Sequence, residues 1–351
     1  MIRIQNVYYM LAYAFQVLNE QTYRNLATEE FSNTADLFAA ILAKGISSQI
    51  KRGLGKAYIQ KEEALSMLRG KIDISASIKT QTLYKKQLVC SYDEFSVDTN
   101  MNRIIKSTTQ LLLKADIDKT RKKELGKLLV FFDEVGAVDL HSVDWHMSYN
   151  RNNQTYRMLM GICYLVVKGL LHTQSDGSTR LMDFLDEQRI CRLYEKFILE
   201  YYRKEFPWLK ANASQIPWQL DDDNYDLLPV MQTDIMLSYQ EKVLIIDAKY
   251  YAHSTQVQYG VHTLHSGNLY QIFTYVKNKE AELYGHPHEV SGMLLYAKTD
   301  EEGFRANDYH MSGNRISVRT LNLDCDFSEI RKELDCIVTE QFGTAQTKKN
   351  T

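Results

Sequence analysis

The sequence predicts an α/β protein of two domains, a mixed α+β domain over residues 1–150 followed by an α/β domain over 151–342. Three observations carry this. The chain has 351 residues, too many for one small core and enough for two of ordinary size. All four prolines lie at or beyond Pro207, and long helical periodicities fill much of what precedes it. Residues 230–251 hold two β-branched and aromatic runs across a short polar turn, a hairpin signature.

Taken along the chain, residues 6–18 (NVYYMLAYAFQVL) and 34–50 (TADLFAAILAKGISSQI) read as helices, the second with Thr34 as N-cap and Leu37, Ile41 and Ile46 as its apolar positions. Residues 57–95 change period. YIQKEEALSML, GKIDISASI and QLVCSYDEF are shorter and partly alternating, which predicts a small antiparallel sheet. Helical spacing returns at 100–115 and 119–133. Lys114, Lys119, Arg121, Lys122, Lys123 and Lys127 form a basic run there. With Asp116, Asp118 and Glu124 interspersed, it reads as a solvated helix face rather than a phosphate-contacting one. The polar stretch MSYNRNNQTY at 147–156 is the expected domain boundary. Helix resumes from 157, a strongly amphipathic helix covers 190–206, the hairpin follows, and SGNLYQIFTYVKN reads as a helix behind it. Residues 343–351 are small and polar, an expected disordered tail.

Composition narrows the class. At 44% hydrophobic and 25% charged residues the chain is that of an ordinary globular protein. No apolar run reaches the roughly 18–20 residues that span a bilayer. The start, MIRIQNVYYMLAYAF, lacks the layout of a secretory signal, so a cytoplasmic protein without a membrane role is expected. Five cysteines (Cys90, Cys163, Cys191, Cys325 and Cys336), with no CxxC pair, suit neither a disulfide framework nor a zinc ribbon. His253, His262, His265, His286 and His288 have no zinc-site spacing. A net charge of −2 argues against a protein that coats DNA by neutralising many phosphates. It leaves room for a local basic surface or a partner that brings the DNA.

The residues that carry chemistry lie in the hairpin. VMQTDIMLSY (230–239) and VLIIDAKYY (243–251) flank a turn at Gln240-Glu241-Lys242, and four leading apolar residues make the second run a central, buried strand. That strand ends in Asp247-Ala248-Lys249. Side chains alternate across a strand, so Asp247 and Lys249 project from one face, with Asp234 in reach on the neighbouring strand. Buried ions must be paired or metal-bound, and two carboxylates so placed need a cation between them. An oxygen-only ligand set suits Mg²⁺, which keeps waters, takes a phosphate oxygen and lowers the pKa of a bound water. Lys249 would position or help deprotonate that water, or stabilise the transition state. The same spacing equally serves a plain salt bridge between Asp247 and Lys249. Glu195 falls beside the apolar stripe of the 190–206 helix, where a surface glutamate is the simple reading. Gln271 and Tyr275, at i and i+4, share a helix face, where packing is the simple reading.

At these residues the chain resembles the PD-(D/E)XK nuclease superfamily and, more closely, the McrC family of nuclease subunits from McrBC modification-dependent (type IV) restriction systems. The resemblance spans nearly the whole chain. It runs from Asn6-Val7-Tyr8-Tyr9-Met10-Leu11 with Tyr13-Ala14, through Arg69-Gly70-Lys71-Ile72 and Asn102-Arg103-Ile104-Ile105-Lys106-Ser107-Thr108, to Leu227-Leu228-Pro229 with Thr233-Asp234-Ile235. It continues in Ile246-Asp247-Ala248-Lys249-Tyr250-Tyr251 and Asn268-Leu269-Tyr270-Gln271. Position by position, Asp234 and Asp247 resemble the two superfamily acids and Lys249 the lysine. Glu195 resembles the helix glutamate that often completes the metal site, with Glu187 and Glu200 as nearby alternatives. Gln271 and Tyr275 resemble the Gln-x-x-x-Tyr feature of RecB-like members. Thr233 stands where the superfamily name has proline.

The resemblance implies a C-terminal restriction-endonuclease-like α/β/α domain with Mg²⁺ held by Asp234, Asp247 and Glu195. It implies a partner, an McrB-like AAA+ GTPase oligomer that recognises modified double-stranded DNA and is stimulated by the docked N-terminal domain. This chain would then cut 5-methylcytosine-type DNA. Arg69, Gly70 and Lys71 are the expected partner contact. No GxxxxGK[ST] loop occurs, so GTP would be bound by the partner. Two alternatives share these features: a non-catalytic activator and scaffold of the GTPase, and a stand-alone RecB-like nuclease.

Overall fold

The computed structural model describes residues 2–15, 23, 26, 29–150, 153, 155–176, 187–222, 224–250, 256–258, 261–298 and 306–343. The chain divides into two compact units. One is formed by Met1–Glu30 with Leu185–Thr351, the other by Phe31–Phe184. The second is an insertion into the first, and the two are called here the flanking and the inserted unit. The division expected near residue 150 thus lies at 184/185, and the first thirty residues go with the carboxyl part.

Helix α1 (Ile4–Ala14) belongs to the flanking unit. The inserted unit opens with α2 (Thr34–Arg52), whose Leu37, Phe38, Ile41 and Leu42 are fully buried. Its N-cap is Asn33, not Thr34: the Asn33 side chain accepts from the Asp36 N–H at 2.9 Å. Strands β1 (Ala57–Leu65), β2 (Lys71–Asp73) and β3 (Leu88–Ser96) form the expected antiparallel sheet in the order β1-β3-β2. GKIDISASI is strand only over Lys71–Asp73, because the Asp73 carboxylate accepts from Ala76 N–H at 2.8 Å and starts the short helix α3 (Ile74–Lys79). Helices α4 (Asn100–Lys114), α5 (Lys119–Leu129) and α6 (Tyr156–Asp176) complete the unit with α2.

The flanking unit continues with α7 (Glu187–Glu205), which buries Tyr194, Phe197, Ile198, Tyr201 and Tyr202 completely. Strands β4 (Lys210–Asn212), β5 (Gln215–Ile216), β6 (Met231–Gln232), β7 (Ile235–Tyr239) and β8 (Lys242–Lys249) follow. Next come the ribbon β9 (Gln256–Gln258) and β10 (Val261–Thr263), helix α8 (Ser266–Glu282), and strands β11 (Glu289–Lys298), β12 (Asn307–Met311) and β13 (Asn314–Asn322). Helix α9 (Phe327–Phe342) closes the fold. Among the described residues the main sheet has six strands, ordered β12-β13-β11-β8-β7-β4. Its centre is parallel, with β11 beside both β8 and β13, and its flanks are antiparallel.

β8 is therefore an inner strand, as its apolar run predicts, with Val243 to Ala248 buried. The parallel step from β8 to β11 needs a crossover, and α8 supplies it. α8 packs Ile272, Tyr275 and Val276 against Val243, Ile245 and Leu294. The approach is close: a Cβ on Gly292 would lie 2.8 Å from Ile272 and 2.9 Å from Val276. α1, α7 and α9 form a second helical layer. Tyr13 stands 5.7 Å from Phe197 and 5.3 Å from Tyr201, and the Tyr202 hydroxyl donates to Leu334 O at 3.3 Å. The Asn6 amide donates to Leu323 O at 2.9 Å and Cys325 O at 2.8 Å, which fixes α1 to this unit. No described helix is long and apolar enough to cross a membrane.

Candidate active site

The site grows out of the β7–β8 hairpin. Its turn is Gln240-Glu241, with Gln240 at φ 53° and Tyr239 paired to Lys242. This register puts Ile235 opposite Ile246, so Asp234 and Asp247 are the next positions outward. Thr233 fixes the approach to Asp234. It is buried, and both its N–H and its hydroxyl donate to Ser214 O, at 3.0 and 2.9 Å. The Asp234 carboxylate then accepts from the Ala248 N–H at 2.9 Å. Asp234 and Asp247 are therefore neighbours across the hairpin, and each shifts the other's carboxyl.

Asp247 is 1% exposed and shares a strand face with Val243 and Ile245, toward α8. Lys249, on the same face, donates from Nζ to Asp247 Oδ1 at 3.0 Å and stands 2.9 Å from Oδ2. The second approach is off the hydrogen-bonding direction, and Oδ2 stays buried without a donor. Gln271 and Tyr275 continue this array from α8. Lys249 Nζ donates to Gln271 Oε1 at 3.4 Å, and Gln271 Nε2 donates to the Tyr275 hydroxyl at 2.9 Å. That hydroxyl donates in turn to Gln232 O at 3.1 Å. The two residues are thus more than packing: they run from the lysine back to the strand that leads into Asp234.

Charge is held here under tension. Burial pushes the Asp247 carboxyl up to about 7. Lys249 pulls it down, and the neighbouring Asp234 adds to the rise. Asp234 is also raised by burial, against the pull of Lys249 and the Ala248 N–H. Glu195, on α7, is raised by burial and then by Asp234, so it belongs to the same electrostatic group. Its Oε1 accepts from the Cys191 thiol at 3.1 Å. Among the described residues no three His, Cys, Asp or Glu side chains form a ready ligand cluster. Asp234 and Asp247 are brought together, and Glu195 stands near them without joining a triad. Glu200 is instead paired with Arg203 at 2.7 Å, and the Glu187 side chain lies outside the described residues.

Residues 4–297 match the model of a family described as McrBC 5-methylcytosine restriction system component. The chain belongs to this family. It is also 31% identical over 341 residues to the Escherichia coli (strain K12) protein described as type IV methyl-directed restriction enzyme EcoKMcrBC, covering 95% of this chain and 96% of that protein. Its fold is similar to a chain in the refined half-complex from a tetradecameric assembly of Thermococcus gammatolerans McrB AAA+ hexamers with bound McrC. The TM-score is 0.50 at 18% identity, over 95% of this chain and 76% of that one.

Several segments that carry the McrBC-family resemblance turn out to build the scaffold. Asn102 is fully buried, donates to Gly55 O and Val97 O at 2.9 and 2.7 Å, and accepts from the Tyr156 hydroxyl at 2.7 Å. Asn268 donates to the buried Tyr296 hydroxyl at 2.9 Å, beside Lys249 in the strand register. Gly70 has φ 68°, and a Cβ there would collide with Ser91 O and with Tyr92. Sequence reading missed Cys191 and the backbone of Ala248. Cys191 precedes Glu195 by one helical turn, a spacing that could have been read. The Ala248 contact has no side-chain signal. His265, His286 and His288 belong to no metal cluster, and the side chains of His253 and His262 lie outside the described residues, as do residues 344–351.

Proposed function

We propose that this chain is the DNA-cleaving subunit of an McrBC-type restriction system, with the flanking unit a PD-(D/E)XK nuclease domain that hydrolyses modified double-stranded DNA with Mg²⁺. The observation that carries this reading is the buried pair Asp234 and Asp247 with Lys249 on the same strand face. A structural salt bridge satisfies itself. Here a second carboxylate crowds the first, both are pushed toward the neutral form, and Asp247 Oδ2 lacks a donor. A divalent cation resolves all three, and the donors are hard oxygens of the kind Mg²⁺ takes.

Asp234 and Asp247 would hold the ion, with Glu195 as the third carboxylate. When bound, Mg²⁺ supplies charge for the phosphate and a water of lowered pKa. Lys249, freed from neutralising Asp247 alone, orients the attacking water or stabilises the charge developing on the phosphoryl oxygens. Gln271 and Tyr275 hold the lysine in register by the array ending on Gln232 O.

The inserted unit is assigned to an McrB-like AAA+ GTPase oligomer in the cytoplasm, which binds the GTP, selects the modified DNA and is stimulated by docking. The support is the similarity to McrC, bound to McrB hexamers in the Thermococcus gammatolerans assembly. Within Arg69–Lys71 the likeness divides. Arg69 lies 4.1 Å over the Tyr92 ring and 3.9 Å from Glu94, and Gly70 serves the backbone. Met67 and Leu68 at the β1–β2 turn, with Ile74, Ile78 and Tyr84 beyond it, are exposed apolar residues and form the better contact surface. Purified complex given methylated DNA, GTP and Mg²⁺ should cleave, and Asp247→Ala should not. Equal cleavage by the variant overturns the site.

A further inference from the structure

Ala248 sits between the candidate acid and the candidate lysine, and both its N–H and its carbonyl meet side chains of the site. Its N–H donates to Asp234 Oδ2 at 2.9 Å, and its carbonyl lies 3.8 Å from the Cys191 sulfur. The thiol is also 3.1 Å from Glu195 Oε1. The one S–H goes to the nearer acceptor, Glu195, and the fully buried Ala248, whose N–H serves Asp234, passes beside the sulfur on β8. From this geometry we infer that Cys191 is a positioning residue for the metal site: its S–H fixes Glu195 Oε1 and leaves the second carboxylate oxygen for the divalent cation held by Asp234 and Asp247. The inference rests on the reading of those aspartates as the metal site.

Physical chemistry favours this role. A thiol is a weak donor whose hydrogen bond a carboxylate can keep while its other oxygen binds metal. The S–H, 3.1 Å from Oε1, offers the glutamate a hydrogen without adding a third negative neighbour to Asp234. Cys191 and Glu195 are one turn apart on a helix whose adjacent side chains Tyr194, Phe197 and Ile198 are completely buried, so the pair is presented on a rigid face. Hydrogen bonds to a ligating carboxylate of this kind are worth about tenfold or more in metal affinity.

The test measures Mn²⁺ binding to the full-length chain by electron paramagnetic resonance, with competition by Mg²⁺, and needs no turnover. Cys191→Ala should weaken Mn²⁺ binding by about tenfold. Cys191→Ser, which keeps a donor, should stay within about threefold of the parent. Thermal melting in EDTA checks that both variants are folded. Unchanged Mn²⁺ affinity in a folded Cys191→Ala overturns the inference, as does an equal loss in Cys191→Ser. Asp247→Asn and Glu195→Gln separate the two levels. If Asp247→Asn still binds Mn²⁺ like the parent, the metal-site reading itself fails. If both weaken binding and Cys191→Ala does not, only the role of Cys191 fails.

Discussion

In the inserted unit Asp98 lies against Arg103; in the flanking unit Asp247 lies against Lys249. The first pair is complete in itself. Arg103 Nε donates to Asp98 Oδ1 at 2.7 Å, its second nitrogen reaches Oδ2, and the Gly136 N–H adds a donor at 2.7 Å. The pair stays partly open to water, and Arg103 holds the Asp98 carboxyl down to about 2. The second pair is buried, one carboxylate oxygen has no donor, and a second aspartate presses on it. Both pairs have opposite charges in contact. The difference lies in satisfaction: a fork of donors settles Asp98, while a single ammonium leaves Asp247 with unused capacity in a place where that is costly. On the proposed reading, a divalent cation would take up that unused capacity.

The comparison can be broken most sharply at Asp247. Asp247→Asn should reduce cleavage by the assembled complex by about 1000-fold or more. The melting temperature of the metal-free chain should hold or rise, because the substitution removes a buried, crowded charge. A lower melting temperature with cleavage retained would make the pair structural, like Asp98–Arg103. Lys249→Ala should cost about 100-fold in cleavage through lost charge stabilisation, read as a fall in kcat at saturating DNA. Tyr275→Phe removes one link of the array, and about a tenfold loss in rate is expected, with stability changed by about 1 kcal/mol.

Titration sharpens the contrast because the signs oppose. Asp247 takes its proton more readily folded than unfolded. In EDTA its contribution to stability is therefore greatest at acid pH and is lost as pH rises from the ordinary carboxylate range through about 7. Saturating Mg²⁺ should abolish that loss, because the ion takes the place of the proton. Asp98 runs the other way: its contribution is present above the ordinary carboxylate range and disappears as pH falls toward about 2. Melting curves against pH with and without Mg²⁺ should show an ion-sensitive limb near neutrality and an ion-insensitive one in acid. The smallest effect expected is Asp98→Asn, about 1 kcal/mol of stability because the pair is screened by solvent, with Mn²⁺ binding to the flanking unit unchanged.

Much of the site was legible because it is local. Hairpin pairing, strand alternation and a leading apolar run were enough to bring Asp234, Asp247 and Lys249 together, and the i, i+4 spacing of Gln271 and Tyr275 put both on one face of α8. What stayed hidden depends on contacts distant in sequence. The domain division was misplaced because a polar stretch at 147–156 resembles a linker, whereas α6 beyond it packs with α2 and α4. The strand expected through Ile78 failed because one Asp73 carboxylate caps a helix. The thiol beside Glu195 drew no role from the sequence, for nothing in the letters shows that β8 passes within reach of it.

The placement of α1 has a consequence in time. Tyr13 and Asn6 find their partners in α7, α9 and the segment after β13, all made after the inserted unit. At roughly 5–20 residues per second on the ribosome, α1 waits on the order of ten to thirty seconds for α7 and longer for α9. Phe31–Phe184, in contrast, has its own core as soon as it emerges. During synthesis the first helix keeps its aromatic face uncovered until those partners emerge, so the unit it belongs to is completed last.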